Sequence, residues 1–99
     1  MRVISKKKLT SFWNIPQYKD AEEPLKAWYA EARAAGWRTS ADVKEKYGNA
    51  SILKNNRVVF NIAGNKYRLV VKIHYNTGTI YTRFINTHTE YDKIDAETI

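Results

Sequence analysis

Between Asn56 and Asp95 the chain runs NRVVFNIAGNKYRLVVKIHYNTGTIYTRFINTHTEYDKID. Blocks rich in Val, Ile, Phe, Tyr and Thr are broken at Gly64-Asn65 and at Thr77-Gly78. β-Branched and aromatic residues suit a pleated surface, and Gly-containing dipeptides suit hairpin turns. The stretch predicts three consecutive antiparallel strands followed by a polar Thr-His-Thr-Glu-Tyr-Asp segment. If Ala63 pairs with Lys66, then Ile62 lies opposite Tyr67, Phe60 opposite Leu69 and Val58 opposite Val71, all apolar and all on one face. Asn61 opposite Arg68 and Val59 opposite Val70 share the other face. A slip of one residue would invert this pattern, so turn and alternation support each other.

The same count through the second turn, with Asn76 opposite Thr79, places Ile73 against Thr82 and Val71 against Phe84 on the core side. It places Tyr81 against His74, Arg83 against Lys72 and Ile85 against Val70 on the other. That outer face then carries Lys66, Arg68, Lys72, His74, Tyr81 and Arg83, interrupted by Val59, Val70 and Ile85. Lys72 and Arg83 facing each other are like charges, destabilising unless an anion such as phosphate lies between them.

Upstream, Val3 and Ile4 suggest a short first strand, and Ser5 stands where a helix N-cap would. Leu9, Phe12 and Trp13 form an apolar stripe over residues 6–14, with Lys6, Lys7 and Lys8 in the first turn, against the helix dipole. Pro16 ends this helix. Asp20 and Glu23 have capping-box spacing for a second helix reaching about Ala35, whose Leu25, Trp28, Tyr29 and Ala32 make a core stripe, with Gly36 just past its end. Thr39 opens a short third helix through Lys46 with Asp42 in its first turn, and Gly48-Asn49 stops it. One strand, helices, then a run of strands predicts an α+β fold: an antiparallel sheet of three to four strands with two to three N-terminal helices on one face.

With 99 residues and no repeat or linker, residues 1–99 make one domain, with an acidic segment at 90–99. No cysteine is present, which excludes disulfides, thiolate metal sites and cysteine nucleophiles and fits a reducing, cytoplasmic setting. Two histidines are too few for a His-rich metal site, no apolar run is long enough for a membrane span, and the basic N-terminus has no apolar stretch behind it. Residues 1–89 hold sixteen Lys and Arg against six acids; residues 90–99 hold Lys93 against Glu90, Asp92, Asp95 and Glu97. So basic a body favours a polyanionic partner such as nucleic acid, although a basic balance also serves solubility.

Chemistry is concentrated after the third strand. His88 is the one side chain of this segment of the type suited to proton transfer near neutral pH, and Tyr91 shares its face if the segment turns helically. Cutting RNA without a metal needs a base for the 2′-hydroxyl, a cation for the charge growing on the phosphate and an acid for the 5′-oxygen. Arginine suits the second task because its planar guanidinium grips phosphate oxygens in pairs. Histidine, and a tyrosine in basic surroundings, suit the proton transfers. No Walker loop, G-x-S-x-G, H-E-x-x-H or dinucleotide fingerprint marks another chemistry, and Asp92 with Asp95 is weak as a metal site.

Residues 57–70, RVVFNIAGNKYRLV, with 83–94, RFINTHTEYDKI, resemble the HigB family of type II toxins, within the RelE-like mRNA interferases. The resemblance extends to Met1-Arg-Val-Ile-Ser and to Pro-Leu-Lys-Ala-Trp at 24–28. It implies a small RelE-like fold and an endoribonuclease that cuts mRNA on the translating ribosome without metal or other cofactor. It also implies a HigA-type helix-turn-helix antitoxin, with operator DNA bound only through the toxin–antitoxin complex. By the same resemblance Arg68 and Arg83 hold phosphate, with Arg68 stabilising the transition state. His88 and Tyr91 transfer protons in an order left open. Lys54, Arg57, Lys66 and Lys72 supply further contacts to mRNA or ribosomal RNA. Asn86 departs from the Gly that usually precedes Thr-His, which would matter if the backbone there needed positive φ or close approach of RNA. Two other readings fit the same basic face: a non-catalytic RNA- or ribosome-binding module, and a protein whose sheet edge accepts an acidic peptide.

Overall fold

The computed structural model describes all 99 residues. Five strands form one sheet: β1 (Arg2–Ile4), β2 (Ser51–Ile52), β3 (Arg57–Ile62), β4 (Tyr67–His74) and β5 (Thr79–Thr87), in the order β1-β5-β4-β3-β2. The class is α+β as expected, but the sheet is mixed and has more strands than expected. β1 lies parallel to β5 at one edge, and the two-residue β2 closes the other.

Helices α1 (Lys6–Trp13), α2 (Glu22–Ala34) and α3 (Ser40–Lys46) belong to one face, because their apolar stripes have the sheet's inner face as partner. Leu9, Phe12, Leu25, Trp28, Ala32 and Val43 pack with Val58, Phe60, Ile62, Tyr67, Leu69, Val71, Ile73, Ile80 and Ile85 in one buried cluster. Trp37, which no periodicity singled out, lies in the same cluster with its ring stacked 6.3 Å from that of Phe60.

The capping signals fare unequally. Thr39 and Asp42 form a complete capping box on α3. Ser5 occupies the N-cap position of α1, but its side chain makes no capping bond; its backbone N–H donates to Thr82 Oγ1 instead. Asp20 does not cap α2. It lies in a 3-10 turn, Pro16–Ala21, and its carboxylate accepts from Lys66 Nζ and the Tyr67 hydroxyl. Long-range partners outbid the local cap, and these two donors, Lys66 first, hold the Asp20 carboxyl below its ordinary pKa. Gly36 has no left-handed φ and α2 ends at Ala34, so glycine's freedom is not what stops the helix.

The β3–β4 register is the expected one throughout, from Val58↔Val71 to Ile62↔Tyr67. Its loop spans residues 63–66, with Ala63 and Gly64 both left-handed at φ 54° and 68°. An L-residue pays about 1–2 kcal/mol for that conformation, and glycine gives part of it back through extra freedom in the unfolded chain. Ala63→Gly should therefore stabilise the fold by about 0.5 kcal/mol and raise Tm by about 2–4 °C. A thermal melt with Tm unchanged or lowered would refute the strain.

The β4–β5 register corrects the expected one. The turn is four residues, 75–78, so His74 pairs with Thr79 and Lys72 with Tyr81, two residues from the expected positions. A shift of two keeps every side chain on its face. A bulge then intervenes: Val71 pairs with Thr82 but Val70 with Phe84, leaving Arg83 extra. One extra residue inverts every face beyond it. Ile85 thus enters the main core opposite Leu69, and Phe84 leaves it for the outer face.

Candidate active site

The outer face is three cross-strand rows rather than one basic surface. Asn61, Arg68 and Asn86 make the first row, Val59, Val70 and Phe84 the second, and Arg57, Lys72 and Tyr81 the third. The apolar middle row needs a cover, and residues 91–99 provide it. Val59, Val70 and Ala96 form a second small cluster against which Leu53, Phe84, Tyr91, Ile94 and Ile99 pack. That cover was legible as Ile94, Ala96 and Ile99 within an otherwise acidic segment, but not without the bulge that sends Phe84 outward.

Beside the first row β5 ends and α4 (His88–Tyr91) begins. Thr87 caps the turn, its Oγ1 accepting from Glu90 N at 3.2 Å, and the His88 N–H donates to Lys66 O at 3.2 Å, tying the segment to the start of β4. His88 Nδ1 lies 2.9 Å from Asp92 Oδ2. The carboxylate thus stands beside one ring nitrogen, where it can orient the imidazole, and Nε2 is the ring's other nitrogen. Asp92, expected only as half of a weak metal pair with Asp95, is the partner of His88 instead. The i, i+4 spacing of His88 and Asp92 on a helical turn was the signal for the contact that it makes. Tyr91 follows on the same turn, its ring against the second cluster and its residue only partly buried.

Arg68, on β4 opposite Asn86, donates from Nη1 only to Asn65 O at 3.0 Å and Tyr67 O at 3.3 Å, so its guanidinium keeps most of its donors. Asn86 has no left-handed φ, so its backbone does not require glycine on that ground, and its side-chain oxygen accepts from Thr87 N at 2.8 Å. Arg68, His88 and Tyr91 are therefore brought to one end of the sheet.

Arg83 and Lys72 are not. Four residue steps of strand separate Lys72 from Arg68, about 13 Å at a strand's rise. Arg83, on the bulge, lines a cavity with Arg57, Lys72, His74 and Tyr81. The expected single cradle of Arg68, Lys72 and Arg83 is thus two separate basic positions with an apolar strip between them. Arg57 is buried at 8% exposure, Lys54 is exposed, and Lys66 is paired with Asp20.

An imidazole beside a carboxylate, a phenol hydroxyl and a guanidinium are groups that phosphodiester transfer or hydrolysis can employ. No helix is long and apolar enough to cross a membrane. The chain matches the family model HigB_toxin, described as the RelE-like toxic component of a toxin-antitoxin system, over residues 21–94, about three quarters of its length. No curated protein matches it. The matched span contains the hairpins, Arg68, Arg83, the His88–Asp92 pair and Tyr91, and membership implies an antitoxin as partner: the chain belongs to the HigB family of RelE-like toxins, the toxic component of a toxin–antitoxin system.

Proposed function

We propose that this toxin is a metal-independent endoribonuclease that cuts mRNA on the translating ribosome. The observation that carries the reading is the 2.9 Å His88–Asp92 contact on a turn fastened beside Arg68. In this mechanism a base removes the proton of the 2′-hydroxyl, whose oxygen attacks the adjacent phosphorus. Arg68 holds the charge that grows on the non-bridging oxygens. The 5′-oxygen leaves with a proton from the acid, giving a 2′,3′-cyclic phosphate on one fragment and a 5′-hydroxyl on the other. His88, oriented by Asp92, serves as base with Nε2 open, and Tyr91 serves as acid. Arg83 grips a neighbouring phosphate, and Lys54, Arg57 and Lys72 extend the contact to mRNA or ribosomal RNA. Lys66 is left out of that set because Asp20 already neutralises it. The antitoxin is of the HigA helix-turn-helix type, and the complex, not the toxin alone, binds operator DNA.

Mapping RNA ends after brief induction in a bacterial host tests this. New 5′-hydroxyl ends within translated frames, appearing before growth stops, are expected. Growth arrest with intact transcripts would instead favour a non-catalytic ribosome binder on the same basic face.

The positioning role of Asp92 has its own test. Asp92→Asn should slow cleavage by about tenfold, a fraction of the roughly 10²–10⁴-fold that a general base supplies. In a His88→Ala background the same change should cost nothing further, because residues that act as a unit are not additive. Additive losses in single-turnover assays on programmed ribosomes would separate the two residues.

A further inference from the structure

Beyond β1 the edge of β5 has no strand beside it. Their pairing stops at Ile4↔Tyr81, while β5 runs on to Thr87. Helix α1 packs there instead, with Lys8 Nζ donating to Arg83 O at 3.3 Å. Between helix and strand lies a groove of about 280 Å³, lined by Lys8, Phe12, Ile15, Phe84, Ile85 and Asn86 among others. Ile15 is 42% exposed, one of only two large apolar side chains so open to solvent. Asn86 gives the groove a polar group of fixed sense. Its Oδ1 accepts from Thr87 N at 2.8 Å. A backbone N–H only donates, so the atom turned to it is the oxygen, and Nδ2 donates to no group of the protein. The amide thus presents two N–H donors, its acceptor being turned to the backbone. Asn86 is also the cross-strand partner of Arg68 on the outer face, and side chains so paired start about 5 Å apart.

We propose that the groove between α1 and β5 is a nucleobase pocket in which Asn86 selects a base with a keto oxygen, guanine above uracil, over adenine and cytosine. The proposal rests on the ribonuclease reading and adds to it the choice of base beside the cut. Proteins read single-stranded RNA on base edges that are free of a partner strand. Guanine meets the two donors of Asn86 with two acceptors, O6 and N7, and uracil with one, O4. Adenine and cytosine set an amino group in the same place, donor against donor. In a groove walled by apolar side chains such a clash leaves both groups unpaired, which costs more than a missing contact. The Phe84 ring and Ile15 offer apolar surface to the faces of the base. A protein segment would use those walls equally well. What favours a base is the pairing of Asn86 with Arg68, because an RNA strand that sets a phosphate at Arg68 brings a base of that nucleotide or the next to Asn86.

The test is single-turnover cleavage by the whole chain on ribosomes programmed with mRNA whose cut codon is randomised, with the new 5′ ends sequenced. At one of the two positions flanking the broken bond, guanine should exceed adenine and cytosine by about tenfold, within the range of a two-point contact to one base edge. Asn86→Asp keeps an oxygen for Thr87 N and replaces the two donors by an acceptor, so the preference should turn over to adenine or cytosine, whatever the loss in overall rate. Asn86→Ala should level it. Asn86 belongs to neither apolar cluster, so both variants should stay folded, which a melt checks. A second arm needs no cleavage. In fluorescence anisotropy a 2′-O-methyl hexamer of inosine, which keeps O6 and N7, should bind about tenfold more tightly than one of adenosine, and Asn86→Asp should reverse the order. Equal use of the four bases on both sides of the cut, or a keto preference that survives Asn86→Ala, overturns the pocket. So does an Ile15→Ser variant that loses antitoxin binding yet keeps the parent's affinity for the inosine hexamer, which would give the groove to the antitoxin. The ribonuclease reading fails separately. A chain that makes no new 5′-hydroxyl ends but tells inosine from adenosine through Asn86 keeps the pocket and loses the cleavage; one that cuts without base preference keeps the cleavage and loses the pocket.

Discussion

Arg68→Ala should let induced cells grow and should lower the cleavage rate by about 10²–10³-fold, the usual loss when one donor to a developing oxyanion is removed. The size follows from where the residue sits. It is half-buried in the first row of the outer face, beside Asn86, and its guanidinium spends only Nη1, on Asn65 O and Tyr67 O. Nothing in either apolar cluster depends on it. The fold should therefore tolerate its loss within about 0.5 kcal/mol, the range of ordinary surface changes. Arg68→Lys keeps the charge but loses the planar fork, and should fall between, about tenfold below the parent chain. Single-turnover cleavage on programmed ribosomes, beside a thermal melt of each variant, measures both quantities. A folded Arg68→Ala protein that cuts at the parent rate would move the chemistry away from this end of the sheet.

How far the site could be foreseen turns on one bulge. Alternation and the Gly64 turn were enough for the β3–β4 pairing, because every pair from Val58↔Val71 to Ile62↔Tyr67 agrees on which face is apolar. The second hairpin gave no such warning. Taking its turn as Thr77-Gly78 rather than residues 75–78 displaced the pairs by two, which is silent in the pattern. The extra residue at Arg83 is equally silent, since Phe84 and Ile85 are both apolar and either could face the core. Local chemistry does not mark a bulge that long-range pairing imposes. Its consequences are what the sequence concealed: Asn86 beside Arg68, Phe84 on the outer face, and a strip that residues 91–99 must cover, whereas Arg83 near Lys72 was expected. Asp20 failed for a related reason, because Lys66 and Tyr67 lie more than forty residues away in the chain and no capping rule can see them.

Phe60→Ala should weaken toxicity too, but by destabilising the fold. Phe60 is 1% exposed and forms the hub of the aromatic core. Its ring meets Trp28 at 5.4 Å and Tyr47 at 5.1 Å edge to face, and stacks on Trp37 at 6.3 Å. Truncation leaves a cavity among rigid rings that have little room to collapse, and such changes cost about 3–5 kcal/mol. A domain of this length holds about 5–15 kcal/mol in all, so the melt should shift down by about 15–30 °C. Phe60→Leu keeps most of the volume and should retain both fold and cutting. Phe60 alternates along β3 with Val59 and Asn61, whose side chains face the site, so it has no contact with RNA in the proposed mechanism. The contrast between the two alanine variants is therefore diagnostic. Arg68→Ala should melt like the parent chain and fail to cut, whereas Phe60→Ala should fail to cut in proportion to the fraction unfolded, and regain cutting when the temperature is lowered.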